Sequence, residues 1–137
     1  MSTVYVPLET AAVSLGADEV AAALADSATV VRNGSWGMSW LEPLVEVDVG
    51  GERIAYGPVT PDDVDELLGA GLLEGGEHRL RLGPVTDIPY LAQQERWTFR
   101  RCGLIDPLSL AQYEAAGGIA GGTKALDVGR RARIETL

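Results

Sequence analysis

Cysteine and histidine are almost absent from this sequence, and their scarcity excludes several kinds of site. The 137 residues contain one cysteine, Cys102, and one histidine, His78. One thiol cannot form a disulfide framework, and an iron-sulfur cluster or a structural metal site held by cysteine needs several thiolates. We therefore expect no disulfide and no metal or cluster site within this chain, and a reduced setting.

Long apolar stretches and a targeting segment are also missing. Each apolar run ends after a handful of residues at a charge or a glycine, whereas a membrane-spanning helix needs about 20 apolar residues. Residues 1–5 have neither the basic residues nor the apolar run of a secretory signal. The sequence therefore predicts a cytoplasmic protein without membrane insertion.

Basic residues are few, because 11 lysines and arginines stand against 20 acids for a net charge of −9. This balance argues against nucleic acid as a partner, since affinity for phosphate backbones comes mainly from lysine and arginine. Most of the basic residues nevertheless lie in the last third: Arg96, Arg100, Arg101, Lys124, Arg130, Arg131 and Arg133. The two parts of the chain are expected to differ in role or partner.

The opening of the chain carries strand and helix patterns in alternation. Residues 4–7 are β-prone, the alanine-rich residues 17–24 favour a short helix, and residues 29–32 favour a second strand. Residues 33–37 contain the glycines and small polar residues of a loop.

A hairpin and a helix start follow. Residues 44–49 and 53–56 flank Gly50-Gly51, and the alternation of the first run is typical of a β-hairpin. Thr60 and Pro61 then supply a helix cap and a first helical residue, with acids in the first turn. The resulting order predicts an α/β fold, a small thioredoxin-like sheet with flanking helices. The chain length suits one domain, or one small domain with an appendage.

The rest of the chain is richer in residues that interrupt regular structure. Residues 69–89 contain five glycines and two prolines, so we expect a connection without a regular element. Residues 96–100 suit either a strand or an interface surface. Residues 106–113 have the cap, proline and spacing of a helix that Gly117-Gly118 would end, and residues 127–137 resemble a basic solvated tail.

Several residues that could carry chemistry also have a simpler interpretation. His78 lacks an evident partner for acid-base work and is expected to be a surface or linker residue. The neighbouring arginines could activate the Cys102 thiol, but buried packing is favoured. Acids at positions 62, 63, 65 and 66 belong to a solvated helix turn. Residues 34–37 lack the spacing of a phosphate-binding loop and are interpreted as a turn.

The glycine pairs and tryptophans remain. Gly117-Gly118 and Gly121-Gly122 are interpreted as helix termination and chain reversal. Trp36, Trp40 and Trp97 lie outside a regular core pattern, and aromatic residues beside arginine are enriched at contact surfaces. A partner-facing role for at least one tryptophan and simple packing are equally favoured.

Two blocks of the sequence resemble a known family. Residues 87–113 include Gly103-Leu104-Ile105-Asp106-Pro107-Leu108-Ser109-Leu110, and the block continues to residues 124–126. It resembles the segment that leads into the flavin-binding domain of NADH-binding flavoprotein subunits. That family includes subunits of NADH-quinone oxidoreductase, of bidirectional hydrogenase diaphorase and of soluble NAD-dependent formate dehydrogenase.

The first block narrows the resemblance to the β subunit of formate dehydrogenase. Residues 4–7, 16–18, 31–35, 40–47 and 56–60 resemble its thioredoxin-like N-terminal domain. With the second block, the resemblance covers nearly the whole chain to Leu126.

The resemblance also implies where an iron-sulfur cluster would lie. The N-terminal domain is similar to two-iron thioredoxin-like ferredoxins, in which a Cys-x-Gly-x-Cys loop precedes a proline. Placing Pro43 on that proline puts Ser35 and Ser39 at the two thiolate positions, with Gly37 between them. Hydroxyls are poor iron ligands in place of thiolates, so the resemblance implies a domain that has no cofactor and is kept for docking or structure.

The family's cofactor motifs do not occur in this sequence. A glycine-rich flavin loop and a later four-cysteine set would lie beyond Leu126 in a full-length subunit, which would carry FMN and a 4Fe-4S cluster and bind NAD. We therefore expect this chain to contain no catalytic, cofactor-binding or metal-ligating residues and to be inactive alone. The expected divisions are a thioredoxin-like domain at 1–70, a connector at 71–94, a truncated flavoprotein segment at 95–126 and a tail at 127–137.

These observations predict an N-terminal fragment or short form of a formate dehydrogenase β subunit that docks on the other subunits of the complex. An alternative is a stand-alone assembly or interaction module of a formate dehydrogenase or NADH dehydrogenase complex. A thioredoxin-like oxidoreductase is less favoured, because the sequence has no Cys-x-x-Cys pair.

Overall fold

The computed structural model describes residues 1–128, and a mixed sheet of five strands forms its centre. The strands are β1 (Thr3–Tyr5), β2 (Thr29–Val31), β3 (Val45–Val49), β4 (Glu52–Tyr56) and β5 (Arg81–Pro84). Their order across the sheet is β2-β1-β3-β4-β5. The β1–β2 pair is parallel and the other pairs are antiparallel. The α/β class predicted from the sequence is confirmed.

Short helices flank this sheet. They are α1 (Thr10–Ser14), α2 (Ala17–Leu24), α3 (Val64–Gly69), α4 (Pro89–Ala92), α5 (Leu110–Ala115) and α6 (Ala120–Asp127). Single turns of 3₁₀ helix occur at Ser39–Leu41, Pro61–Asp63, Leu72–Glu74 and Val85–Asp87. Among the helices of residues 1–128, none has the length and apolar character needed to cross a membrane.

The predicted hairpin fixes which side chains enter the main core. Val45 pairs with Tyr56 and Val47 with Ile54, and all four are buried on the same face. Gly50 and Gly51 form the connecting turn, and both have positive φ angles, which glycine adopts without steric cost. The alternation predicted for this hairpin is confirmed.

Helices α1 to α3 cover the main-core face of the sheet. The helix predicted at 17–24 is confirmed as α2, which buries Val20 and Leu24. The predicted start at Thr60 is also confirmed. The Asp63 carboxylate accepts from the Thr60 backbone N–H at 2.8 Å, which closes a capping box before α3.

The opposite face of the sheet carries a second, smaller apolar cluster. It consists of Trp36, Met38, Leu44, Ala55, Val85, Ile88 and Leu91. Most of these residues come from the loop after β2 and from the turns after β5, not from long helices. This face is therefore covered by irregular chain, and the candidate site lies within that cover.

The expectation that residues 69–89 lack a regular element is wrong. This stretch contains β5, which pairs with β4 and forms the outer strand of the sheet, and a 3₁₀ turn that buries Leu72 in the main core. Pro84 is tolerated because β5 is an edge strand. The division of the chain into domains and a connector stays a prediction. The glycines of residues 69–89 lie within and between regular elements and do not prevent their formation.

Three expectations for the last third also need correction. Residues 96–100 form turns, so the strand alternative is wrong. The predicted helix begins later, as α5, because Ser109 caps it through the Gln112 N–H. Gly121-Gly122 lie inside α6, so they do not end a helix, whereas Gly117-Gly118 do follow the end of α5. Most of the predicted tail, residues 129–137, lies outside the described part.

Candidate functional site

A buried carboxylate lies at the centre of the second face of the sheet. Glu46 on β3 is fully buried, and burial raises the pKa of its carboxyl group above the usual range. Its Oε1 accepts from the Trp36 indole N–H at 2.7 Å and from the Asn33 amide at 3.1 Å. Arg53 on β4 lies 3.3 Å from Oε2. These donors compensate a charge whose unpaired burial would cost several kcal/mol.

Two residues of this network also hold the distant part of the chain. The Asn33 amide and the Arg53 guanidinium both donate to the Gly103 carbonyl at 2.8 Å, and Arg53 donates to the Leu104 carbonyl at 2.6 Å. The Gly34 N–H donates to the Ile105 carbonyl at 3.2 Å. The turns of residues 96–105, here called the docking segment, are thus tied to the loop after β2.

Close packing reinforces these hydrogen bonds. Gly103 has a φ of +86°, and a Cβ atom at that position would overlap the Trp36 ring. The Arg96 guanidinium lies 5.0 Å from the centre of the same ring, within range of a cation–π interaction. Trp36 is therefore enclosed between the sheet and the docking segment, and glycine at position 103 is what allows the approach.

The two serines at the predicted thiolate positions have different surroundings. Ser35 donates through its hydroxyl to Glu42 at 3.0 Å and accepts from the Gly37 N–H at 2.9 Å. Glu42 is buried, accepts also from the Leu44 N–H, and has a raised pKa because of its desolvation. Ser39 is exposed at the start of a 3₁₀ turn. The Ser35 hydroxyl is thus engaged in organising the loop.

A pocket of about 270 Å³ lies where this loop meets the chain after the docking segment. Its lining includes Ser35, Arg101, Cys102, Ile105, Pro107 and Tyr113. Arg101 donates through Nε to the Ala116 carbonyl at 3.0 Å, and its guanidinium carbon lies 5.5 Å from the centre of the Tyr113 ring. These contacts fix the guanidinium at the pocket, which we call the Arg101 pocket.

The arginines of the docking segment differ from those of the preceding chain. Each of the four earlier arginines pairs with a carboxylate: Arg32 with Asp18, Arg53 with Glu46, Arg79 with Asp63, and Arg81 with Glu77. By contrast, Arg96, Arg100 and Arg101 have no carboxylate partner within residues 1–128. This part of the molecule presents uncompensated positive charge.

The structure corrects two of the candidate residues. Cys102 is exposed and lines the Arg101 pocket, so the expectation of a buried thiol is wrong. The His78 side chain is 5% exposed, so the surface interpretation is wrong, whereas the linker interpretation stays a prediction. Its Nδ1 accepts from the Leu80 N–H, and its Nε2 lies 3.2 Å from a Glu66 oxygen without hydrogen-bond geometry.

The tryptophans and the acidic turn are also placed. Trp36 is buried, whereas Trp40 and Trp97 are 58% and 78% exposed. The acids at 62, 65 and 66 face solvent, as predicted, and Asp63 pairs with Arg79. No group of three or more potential metal-binding side chains occurs in the described chain.

The sequence analysis did not identify Glu46, Asn33 or Arg53 as site residues. Glu46 occupies the polar side of an alternating strand, a pattern that indicates solvent on that face. The available signal was that a tryptophan and an asparagine, both hydrogen-bond donors, lie in the preceding loop.

Structural comparison identifies the fold as thioredoxin-like. A Cys-to-Ser variant of the thioredoxin-like [2Fe-2S] ferredoxin from Aquifex aeolicus matches with a TM-score of 0.52, 22% identity, and coverage of 61% of this chain and 99% of that chain. A second structure, also of a thioredoxin-like [2Fe-2S] ferredoxin from Aquifex aeolicus, matches with a TM-score of 0.51 and 21% identity. The match covers 62% of this chain and 93% of that chain. No protein-family model matches the sequence, and no curated protein matches it significantly.

This comparison corrects the expectation of a chain with no cofactor. The two similar structures are of [2Fe-2S] ferredoxins, so the fold accompanies an iron-sulfur cofactor in those proteins. The residues present here, however, do not fit a complete cluster. Such a cluster takes four cysteines, or two cysteines and two histidines, and this sequence has one of each. We derive no step through that group.

What the arrangement offers chemically is a set of polar and apolar contacts, without a group of potential metal ligands among residues 1–128. The described residues provide a guanidinium held by a backbone carbonyl, a small pocket beside a hydrogen-bonded loop and, on the same stretch of chain, exposed aromatic residues. Arginine and large aromatic residues are enriched at protein interfaces.

Proposed function

We propose that this chain is a docking domain of an electron-transfer complex. In finer terms, it corresponds to the N-terminal part of the β subunit of a soluble NAD-dependent formate dehydrogenase. The fold supports the coarser statement, because the similar structures are thioredoxin-like ferredoxins. The finer statement is supported by the two sequence blocks that resemble that subunit.

The observation that carries the proposal is the contact between those two blocks. Asn33 and Gly34, from the first block, bind the carbonyls of Gly103 and Ile105, from the second. Trp36 packs beneath Gly103 at the same place. The two parts of the resemblance therefore meet in one folded unit, as expected for consecutive pieces of one subunit.

The surface of the second block suits docking more than isolation. Trp97 and Phe99 in the docking segment are 78% and 64% exposed, and Leu108 and Leu110 beyond it are 81% and 65% exposed. Single exposed apolar residues are common, but several along one basic segment mark an interaction surface. In the proposed function this surface contacts other subunits of the complex.

Affinity purification of the tagged chain from its source cells, followed by mass spectrometry, tests the proposal. We expect recovery of a molybdenum-containing formate dehydrogenase subunit and its iron-sulfur partners, in a preparation that reduces NAD with formate. Recovery of the subunits of a quinone-linked NADH dehydrogenase in their place would contradict the assignment to formate dehydrogenase. Recovery of the chain free of any redox subunit would contradict the proposal as a whole.

A further inference from the structure

The Arg101 pocket and the docking segment show three features that together indicate what binds there. They are unpaired positive charge, a pocket of limited size, and exposed aromatic side chains on the same stretch of chain.

Unpaired charge is the first feature. All four arginines before residue 94 form ion pairs with carboxylates, and the three arginines of the docking segment form none within the described residues. The Nε of Arg101 is engaged by the Ala116 carbonyl, which leaves the two terminal nitrogens as donors. A guanidinium held in this way matches the geometry of a carboxylate.

Charge distribution favours an external partner. Residues 1–94 contain 15 acidic and 4 basic side chains, a net charge of −11, whereas residues 96–105 contain three arginines and no acid. Despite this excess of acid, no carboxylate of residues 1–128 forms an ion pair with an arginine of the docking segment. The complementary surface is thus expected to be acidic and to belong to another molecule.

The pocket is small and has apolar walls. The volume of about 270 Å³ lies just below the ~300–1,000 Å³ typical of pockets that enclose small molecules and cofactors. Ile105, Pro107 and the Tyr113 ring provide apolar walls around the Arg101 cation. One acidic side chain with an apolar neighbour fits this combination better than a nucleotide does.

Exposed aromatic residues lie close to the pocket residues in sequence. Trp97 and Phe99 precede Arg100 and Arg101 in sequence and are 78% and 64% exposed. Tryptophan and arginine supply much of the binding energy at protein interfaces. A partner that places a carboxylate in the pocket can therefore cover these rings with its own apolar residues.

We propose that the Arg101 pocket and the docking segment bind an acidic segment of a partner protein, with one carboxylate on Arg101 and apolar residues over Trp97 and Phe99. This inference rests on the proposed function, since the partner would be a subunit of the same complex. The partner is defined here by its chemistry: a peptide segment rich in aspartate and glutamate that includes a large apolar side chain.

Fluorescence anisotropy with purified chain tests the inference directly. The probe is a fluorescein-labelled peptide of glutamates with one central phenylalanine, compared with a peptide of equal length in which lysine replaces every glutamate. We expect saturable binding of the glutamate peptide, weakened by added salt, and no binding of the lysine peptide. Equal binding of both peptides would overturn the proposal.

Variants assign the binding to the pocket. We expect Arg101→Gln to weaken binding about tenfold or more, because a fixed charge-assisted hydrogen bond is lost. Arg100→Gln is expected to weaken it a few-fold, as an exposed charge does, and the exposed Arg100 side chain forms no hydrogen bond, ion pair or ring contact within residues 1–128. Lys124→Gln removes the same charge from an exposed position on α6 and is expected to change binding less than about twofold.

Other occupants give different results. Full competition by free glutamate would overturn the proposal in favour of a small anion, and self-association abolished by Arg101→Gln would overturn it in favour of a second copy of the chain. If Arg101→Gln and Arg100→Gln both bind as Lys124→Gln does, the pocket is not the site. Co-purification of the unchanged complex by the Arg101→Gln chain would overturn this inference while leaving the proposed function intact.

Discussion

Substitution of Gly103 by alanine tests the contact on which the docking of residues 96–105 depends. Gly103 has a φ of +86°, and a Cβ there would overlap the buried Trp36 ring. Gly37 has the same φ of +86°, but nothing lies within 4 Å of its Cβ position. The pair therefore separates backbone strain from steric overlap within one protein.

The expected losses of unfolding free energy follow from the backbone strain and the steric overlap. An alanine in the left-handed region costs roughly 1–2 kcal/mol, and this is the full cost expected for Gly37→Ala. Overlap with a packed side chain adds about 1–3 kcal/mol, so Gly103→Ala should lose about 2–5 kcal/mol of unfolding free energy. Because a domain of this kind has about 5–15 kcal/mol in total, the difference between the variants is measurable.

Urea denaturation followed by tryptophan fluorescence provides the assay. In a background that carries W40F and W97F, Trp36 is the remaining tryptophan, so its emission reports contact with the docking segment. If the segment detaches to avoid the overlap, the emission of folded Gly103→Ala shifts to longer wavelength while Gly37→Ala is unchanged. Equal stability of the two variants together with unchanged Trp36 emission would refute the packing argument.

Three further predictions concern the carboxylates and the core. Burial raises the pKa of Glu42 above 4.5, so its protonated form favours the folded state, and stability should fall as the pH rises from about 4.5 through the raised pKa. Glu42→Gln should reduce that slope in denaturation series across this range, and an unchanged slope would exclude Glu42 as its source. Asp63 closes the cap before α3 and has a pKa below 3.8, so its stabilisation is present above pH 3.8 and is lost as the pH falls through the lowered pKa. Asp63→Asn should cost about 0.5–2 kcal/mol at neutral pH and almost nothing at strongly acidic pH, and an equal cost at both would contradict this linkage. Leu72→Ala should reduce the unfolding free energy by about 2–5 kcal/mol because the side chain is fully buried. Leu82 on β5 is 37% exposed, so Leu82→Ala should reduce it by less than about 1 kcal/mol. Similar losses of the two variants in thermal denaturation would show that residues 69–89 do not contribute to the core as described.

Local chemistry explains which parts of the fold could be predicted. The β3–β4 hairpin was predictable because alternation and a Gly-Gly turn specify it without distant contacts. The start of α3 was equally local, since Thr60, Pro61 and Asp63 form its cap. By contrast, β5 is stabilised by pairing with β4, a long-range contact that overrides the unfavourable glycine and proline content of its own sequence.

The candidate site was less predictable, for a related reason. The alternation around Glu46 indicated a polar face in water, but the chain returns more than fifty residues later and covers that face with Gly103 and Leu104. The local sequence around Glu46 does not predict that a distant segment covers it. Cys102 was misjudged for the same reason, because its exposure depends on how residues 96–105 turn across the loop and not on its neighbours in sequence.

In the docking segment, the buried network holds the backbone, and the exposed side chains form the surface. Arg53 pairs with Glu46 and also donates to the Gly103 and Leu104 carbonyls. The docking segment is therefore held at these two residues through its backbone. The side chains of Trp97, Phe99 and Arg100 take no part in these contacts and are exposed, and a backbone ordered in advance lowers the entropic cost of binding. Arg101 is held through Nε by the Ala116 carbonyl, which leaves its two terminal nitrogens for a partner. The attachment of the backbone and this contact together make residues 96–105 suitable as an interface.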